Sequence, residues 1–273
     1  MPLTRLAEDE GSERVSAVWL RLGMVCDPEL DEPITDLGFV DQVRIDGNEV
    51  AVSFRLPTYW CAPNFAFIIA SDIHERVAEL SWVERVQVRL RDHCVEEAIT
   101  NGITLGRSFE ETFPGETTGD LTHIRAVFRR KAFMTRQEQL LSCLRGSGWS
   151  AESLVCLTIQ ELCDLTGLGP DGNRLRDRYL AVRLELTLPS KGNQRAITTA
   201  EGATIAVEAF EAYVRTLRSC RMNMEINTHF CRGLLRVRYA VPDPDGSQQA
   251  AASEHGPVAR LEWHKSPPAD SVS

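Results

Sequence analysis

No run of apolar residues in this 273-residue chain approaches the ~20 that a membrane-crossing helix needs. The N-terminus, MPLTRLAEDEGSERV, lacks the apolar stretch of a secretory signal, so a cytoplasmic location is expected. In that compartment the eight cysteines are expected as thiols: core packing, metal ligands or reactive groups rather than disulfides. Positive charge is in deficit. Thirty Lys and Arg face 39 Asp and Glu, leaving a net charge of −9. Non-specific nucleic-acid binding needs many cations to replace condensed counterions, so nucleic acid is not an expected partner. No CxxC occurs and no zinc-ligand spacing is satisfied. Any intrinsic metal site must therefore draw on scattered ligands or on a homodimer interface. The nucleophile elbow G-x-S-x-G, the phosphate loop G-x-x-x-x-G-K-[ST] and a dinucleotide G-x-G-x-x-G after a strand are all missing. Gly167-Leu168-Gly169 reads as a loop and nothing more. No enzymatic activity is expected, and no internal repeat is visible.

What the chain does contain is a normal globular balance, 43% hydrophobic and 25% charged. Ser12 is placed to cap a helix whose face carries Val15, Val18, Trp19 and Leu22, stopping near Cys26-Asp27 ahead of Pro28. Phe39 to Ile45 reads as a strand, Asp46-Gly47 as a turn, and Val50, Val52, Phe54 and Leu56 alternate as a second strand, making a hairpin. Pro63 suits the first turn of a helix continued by Ala66, Ile69, Ile73, Val77 and Leu80. Val86, Val88 and Leu90 alternate as a third strand. The fold class is α+β: a small α-β-β-α-β domain over 12–105, then a connector at 106–120 rich in Gly, Thr and Glu, then a mostly helical domain over 121–240. In that domain Leu140, Leu141 and Leu144 end one helix. Ser150 and Thr158 cap short ones, Thr158 with Glu161 as a capping box. Gly167 and Gly169-Pro170 close the group. Asn173–Leu188 is another candidate helix, and a long one, either continuous or broken in its middle, runs from about Thr199 to Tyr239. Residues 241–273 have the composition of a disordered tail.

Three segments stand in a fixed order: Asp27-Pro28-Glu29, then Asp36-Leu37-Gly38-Phe39-Val40, then Pro57-Thr58-Tyr59-Trp60-Cys61-Ala62-Pro63. Together with the α-β-β-α-β order, they resemble the SufT/PaaD-like family of metal-cluster assembly proteins. In that family a threonine-containing strand leads into Cys-Pro; here Ala62 separates Cys61 from Pro63. The likeness covers about residues 12 to 105. The helical extension, through RRKAF around Lys131 and CRGLL from Cys231, resembles a subgroup accompanying soluble di-iron monooxygenases. The resemblance implies a non-enzymatic maturation factor that handles iron or an iron–sulfur cluster transiently, with Cys61 as metal or sulfur ligand and Thr58 in support. Its implied partners are a client metalloprotein, a di-iron monooxygenase being the specific suggestion, and other assembly factors.

The residues themselves leave two readings of Cys61. Between a strand end and a helix start, the helix dipole favours a thiolate, the form that binds metal or accepts sulfur; alternatively Cys61 is a half-buried thiol packing beneath Trp60. Asp27 and Glu29, in a turn at the same end, are either hard oxygen ligands or turn formers, Asp27 ending the first helix. Asp36 is read as holding a turn through its own backbone. His93-Cys94 follow the third strand and are within reach of a metal. Cys220, Met224, Asn227 and Cys231 share one helical face, a pattern more typical of a buried interface than of ligands. Cys156 and Cys163 are separated by the helix break at Thr158, and Cys26 is assigned to the core. A Cys–His pair of Cys61 with His74 or His93 is conceivable but nothing favours it. The alternatives from other classes are a structural scaffold and a helix-turn-helix regulator. Against the regulator, LTIQELCDL carries no Arg or Lys to touch phosphate or base edges.

Overall fold

A computed structural model describes residues 3–115 and 121–239, with the backbone alone for residues 3–11; the expected tail at 241–273 lies outside the described residues. These residues belong to one compact unit. Helix α1 (Leu3–Leu22) precedes strands β1 (Val40–Asp46) and β2 (Glu49–Arg55), helix α2 (Pro63–Ala78) and strand β3 (Arg85–Arg91). The sheet has the order β1-β2-β3. β1 and β2 form the expected antiparallel hairpin, with Asp46 opposite Glu49 and Gly47 at φ 57°, the left-handed region that glycine enters without strain. β2 and β3 run parallel, which requires a crossover, and α2 supplies it.

Alternation along the strands sorts the two faces. Val50, Val52 and Phe54 of β2 and Val86, Val88 and Leu90 of β3 point into a first core with Ile69, Ile73 and Val77 of α2 and Val18 and Leu22 of α1. The opposite face carries Ala51, Ser53, Gln87 and Arg89 at intervening positions. Ser12 is not the cap of α1. Upstream residues such as Leu6, Ala7 and Glu8 are good helix formers, so the helix starts at Leu3, and at Ser12 it continues, with the Ser16 hydroxyl donating to the Ser12 carbonyl. It ends at Leu22, before Gly23, short of the Cys26-Asp27 stop.

After β3 come α3 (Glu96–Thr104) and α4 (Phe109–Thr112). α4 falls inside the stretch whose composition suggested a connector. Ser108 caps it in a reciprocal box with Glu111, and Phe109 and Phe113 are buried in the first core. Two aromatics decide the matter there, which a Gly/Thr/Glu average conceals. The helical part comprises α5 (Leu121–Gly146), α6 (Ala151–Cys156), α7 (Ile159–Asp164), α8 (Gly169–Glu185) and α9 (Val207–Tyr239). Ser150 and Thr158 cap α6 and α7 as expected. Gly169-Pro170 opens α8 rather than closing the preceding group, because proline fits a first helical turn whose N–H groups lack partners anyway. α9 is unbroken over its 33 residues and begins at Val207, since Thr199–Ala203 is held in a turn.

A second core gathers Phe133, Leu140, Leu141, Leu144, Leu162, Tyr179, Val182, Phe210 and Leu217. Within it Arg183 is fully buried. Its guanidinium donates to the Ala196 carbonyl (2.8 Å), Thr198 Oγ1 (3.0 Å) and the Pro189 carbonyl (2.9 Å), pinning the chain between α8 and α9. The sheet region and the helices are tied by ion pairs. Arg136 holds buried Asp31 with two bonds of 2.8 and 2.6 Å, and Arg178 adds a bond of 3.2 Å to the same carboxylate. Arg232 of α9 reaches Glu32 at 2.6 Å, and Leu235 is buried in the first core.

Candidate functional site

Cys61 sits on the loop between β2 and α2, where Leu56 and Pro57 are buried and Tyr59 and Trp60 project outward. Trp60 is 76% exposed and meets Tyr59 edge-on. Cys61 itself is half-buried against the first core. Its sulfur lies 3.2 Å from Thr58 Oγ1 in a hydrogen bond, and the same hydroxyl accepts from the Trp60 amide at 3.2 Å. Thr58 therefore fixes the turn that presents the thiol. Pro63 opens α2, and Ala62, the capping residue, provides no side-chain cap for its first amides.

From the far side the loop is clamped by the segment after β3. The Cys94 amide donates to the Tyr59 carbonyl at 3.0 Å. His93 is buried, and its Nδ1 accepts from the Val95 amide at 3.3 Å. That bond leaves Nδ1 without a proton, so Nε2 carries it and donates to the Cys61 carbonyl at 2.8 Å. Burial pulls the His93 pKa down, keeping the ring neutral. Both ring nitrogens are engaged in this arrangement, and His93 acts on the site by holding the backbone of Cys61. Cys94 is exposed beside it.

Asp27 is buried in the loop between α1 and β1. Its Oδ1 accepts from the amides of Glu29 (2.8 Å) and Leu30 (2.9 Å), and its own amide donates to the Glu32 carbonyl. It builds the turn over 27–32 rather than ending α1, which stops five residues earlier. Burial pushes its carboxyl up to about 6, and the two amide bonds act in the opposite direction. Asp36 is exposed. Among the described residues its carboxylate accepts only from Thr35 Oγ1, at 3.2 Å, and makes no bond to its own backbone.

Helix α9 crosses this end of the sheet region. Asn227 reaches Glu29 at 3.5 Å, and one turn on, Cys231 packs half-buried against the first core, as Cys61 does. The Cys231 thiol is pushed up to about 12, first by burial and then by the negative charges of Asp27, Cys61 and Glu29 around it. Cys231 thus lies within electrostatic range of Cys61, Asp27 and Glu29. Cys220 lies apart, since eleven residues of helix span about 16 Å. Its sulfur faces the Lys131 carbonyl of α5 at 4.0 Å, and burial raises its pKa. Met224 accepts from Thr135 Oγ1 at 3.0 Å. The stripe from Cys220 to Cys231 is accordingly a packing seam whose last residue meets the loop region. Cys26 is half-buried, with its thiol pushed up to about 12 chiefly by burial, while Cys156 and Cys163 are exposed. Among the described residues no three His, Cys, Asp or Glu side chains are arranged to hold a metal ion.

Nothing in the sequence relates residue 61 to residue 231, and the role of His93 as a backbone clamp has no local signature either. The three ordered segments around Asp27, Asp36 and Cys61 do have one. Residues 16–89 match the family model for iron-sulfur cluster assembly proteins. That assembly region runs from α1 to β3 and contains Asp27, Glu29, Asp36, Thr58 and Cys61. It supports a role in assembling metal centres. His93, α3 and the whole helical part fall beyond it. No curated protein matches the chain. Among the described residues no helix is long and apolar enough to cross a membrane.

Proposed function

We propose that this protein is a non-enzymatic maturation factor that passes iron, or an iron–sulfur cluster, to a client protein in the cytoplasm. The observation that carries the reading is the half-buried thiol of Cys61, held between β2 and α2 inside the residues that match the assembly family. Cys61 takes the metal or sulfur as cargo. The start of α2 is the end of a helix that attracts an anion, and a thiolate is the form that ligates. Thr58 orients the sulfur and His93 fixes the backbone that carries it. Asp27 and Glu29 assist from the surrounding wall, with Cys231 beside them, although among the described residues no three of these side chains are set around one metal position. A site short of a full ligand set suits handover, because the client supplies the remaining ligands and keeps the metal.

The client in this proposal is a di-iron monooxygenase, for which the likeness of RRKAF and CRGLL to the monooxygenase-associated subgroup is the support. The helices from α5 onward dock it. The test is Cys61→Ser co-expressed with such an oxygenase. The variant is expected to fold normally, by circular dichroism, and to lower the iron content of the purified client. Unchanged iron loading by a folded variant removes Cys61 from the transfer.

A further inference from the structure

The outer face of the sheet holds an open trough of about 730 Å³. Strand pairing explains its shape. Arg44 of β1 stands opposite Ala51, which stands opposite Gln87 of β3; two residues on, Gln42 pairs with Ser53 and Ser53 with Arg89. The central strand therefore provides a floor of small side chains, and long polar side chains rise from both neighbours. Walls on β1 and β3 are two strand spacings apart, about 10 Å.

Charge is distributed unevenly along this trough. Of the acidic groups on the strands, Asp41 pairs with Arg55 and Arg91 and Glu49 with Arg85, while Asp46, two residues from Arg44 at the turn end of β1, makes no ion pair among the described residues. Among the described residues, the side chains of Arg44 and Arg89 make neither an ion pair nor a hydrogen bond, and both residues are exposed. In a chain of net charge −9 this leaves two unpaired guanidiniums on opposite walls. Their Cα atoms lie about 12 Å apart, two residues along and two strands across. Glu96 and Glu97 of α3 line the trough as well, beyond the C-terminal end of β3, and make that end unfavourable to further anions.

We infer that this face docks an extended acidic segment of a partner protein, laid along β2 with carboxylates reaching Arg44 and Arg89. Charge complementarity identifies the occupant. Two separated guanidiniums over a polar floor match two carboxylates a few residues apart on an extended chain, and Gln42 and Gln87 offer amides to its backbone. The trough lies on the face opposite the first core and shares no residue with the thiol site, so the inference stands apart from the metal-handling proposal.

The test uses the full-length protein and a fluorescein-labelled nonapeptide with glutamate at alternate positions, read by anisotropy at 50 mM salt. The peptide is expected to bind, to lose about tenfold in affinity in the double variant Arg44→Glu/Arg89→Glu, and to weaken as salt rises. Cys61→Ser is expected to bind as the parent does. The single variants Arg44→Gln and Arg89→Gln each give an intermediate loss and guard against misfolding of the double one. An affinity unchanged by the substitutions, or absent binding, overturns the inference. Equal competition by a single-stranded oligonucleotide or by inorganic polyphosphate also overturns it, since the face would then be a general polyanion surface.

Discussion

Asp27→Asn separates the stability of the site loop from its chemistry. In the native state the Asp27 carboxyl is pushed up to about 6 by burial, against about 3.9 in an unfolded chain. Between those values the folded protein keeps a proton that the unfolded chain has released. Its stability therefore falls as pH rises from about 4 to about 6, and above 6 the native state carries a buried carboxylate. A gap of about two pH units between folded and unfolded chain corresponds to about 3 kcal/mol, an upper figure for a group this well buried. Asparagine keeps the oxygen that accepts from the Glu29 and Leu30 amides and removes the charge. Urea unfolding at pH 4.5 to 8 is expected to show the variant more stable than the parent by about 2 kcal/mol at pH 8. That gain should shrink towards pH 4.5, where the parent is protonated. A variant less stable at pH 8, or a gain independent of pH, would refute the reasoning. Under the proposed function the same variant, though more stable, loads less iron into the client.

Asp31→Ala leaves Arg136 partly buried without its carboxylate and cuts one tie between sheet region and helices; a loss of about 3 kcal/mol is expected by urea unfolding. His93→Ala removes the donor to the Cys61 carbonyl. The rate at which Cys61 reacts with a disulfide reagent, taken as the difference from the Cys61→Ser protein, is expected to rise about threefold or more as the loop loosens. Because burial depresses the His93 pKa, the unfolded chain takes up its proton first. Parental stability should accordingly fall as pH drops below about 6.5, and that component should be missing from His93→Ala.

Most of the assembly region was legible because its signals are local. Alternation in Val50-Val52-Phe54 and Val86-Val88-Leu90 needs only the two-residue period of a strand, Asp46-Gly47 only the steric freedom of glycine, and Pro63 only its missing N–H. Thr158 with Glu161 likewise announced a helix start within four residues. Where local averages misled, single side chains overruled them: Phe109 and Phe113 turned a connector into part of the core, and Pro170 began a helix that glycines suggested was ending.

The amino-acid sequence determined by itself the β1–β2 hairpin, the helix after Pro63, the third strand and which loop carries Cys61, since those choices depend on neighbours a few residues away. The tertiary structure alone decided that Cys231 comes within electrostatic range of Cys61, Asp27 and Glu29, that His93 grips the Cys61 carbonyl, and that Asp31 is bound by two arginines from α5 and α8. Those partners lie 32 to 204 residues apart along the chain, and no periodicity spans such distances. Their meeting is fixed by how buried surfaces pack, which is a property of the whole fold.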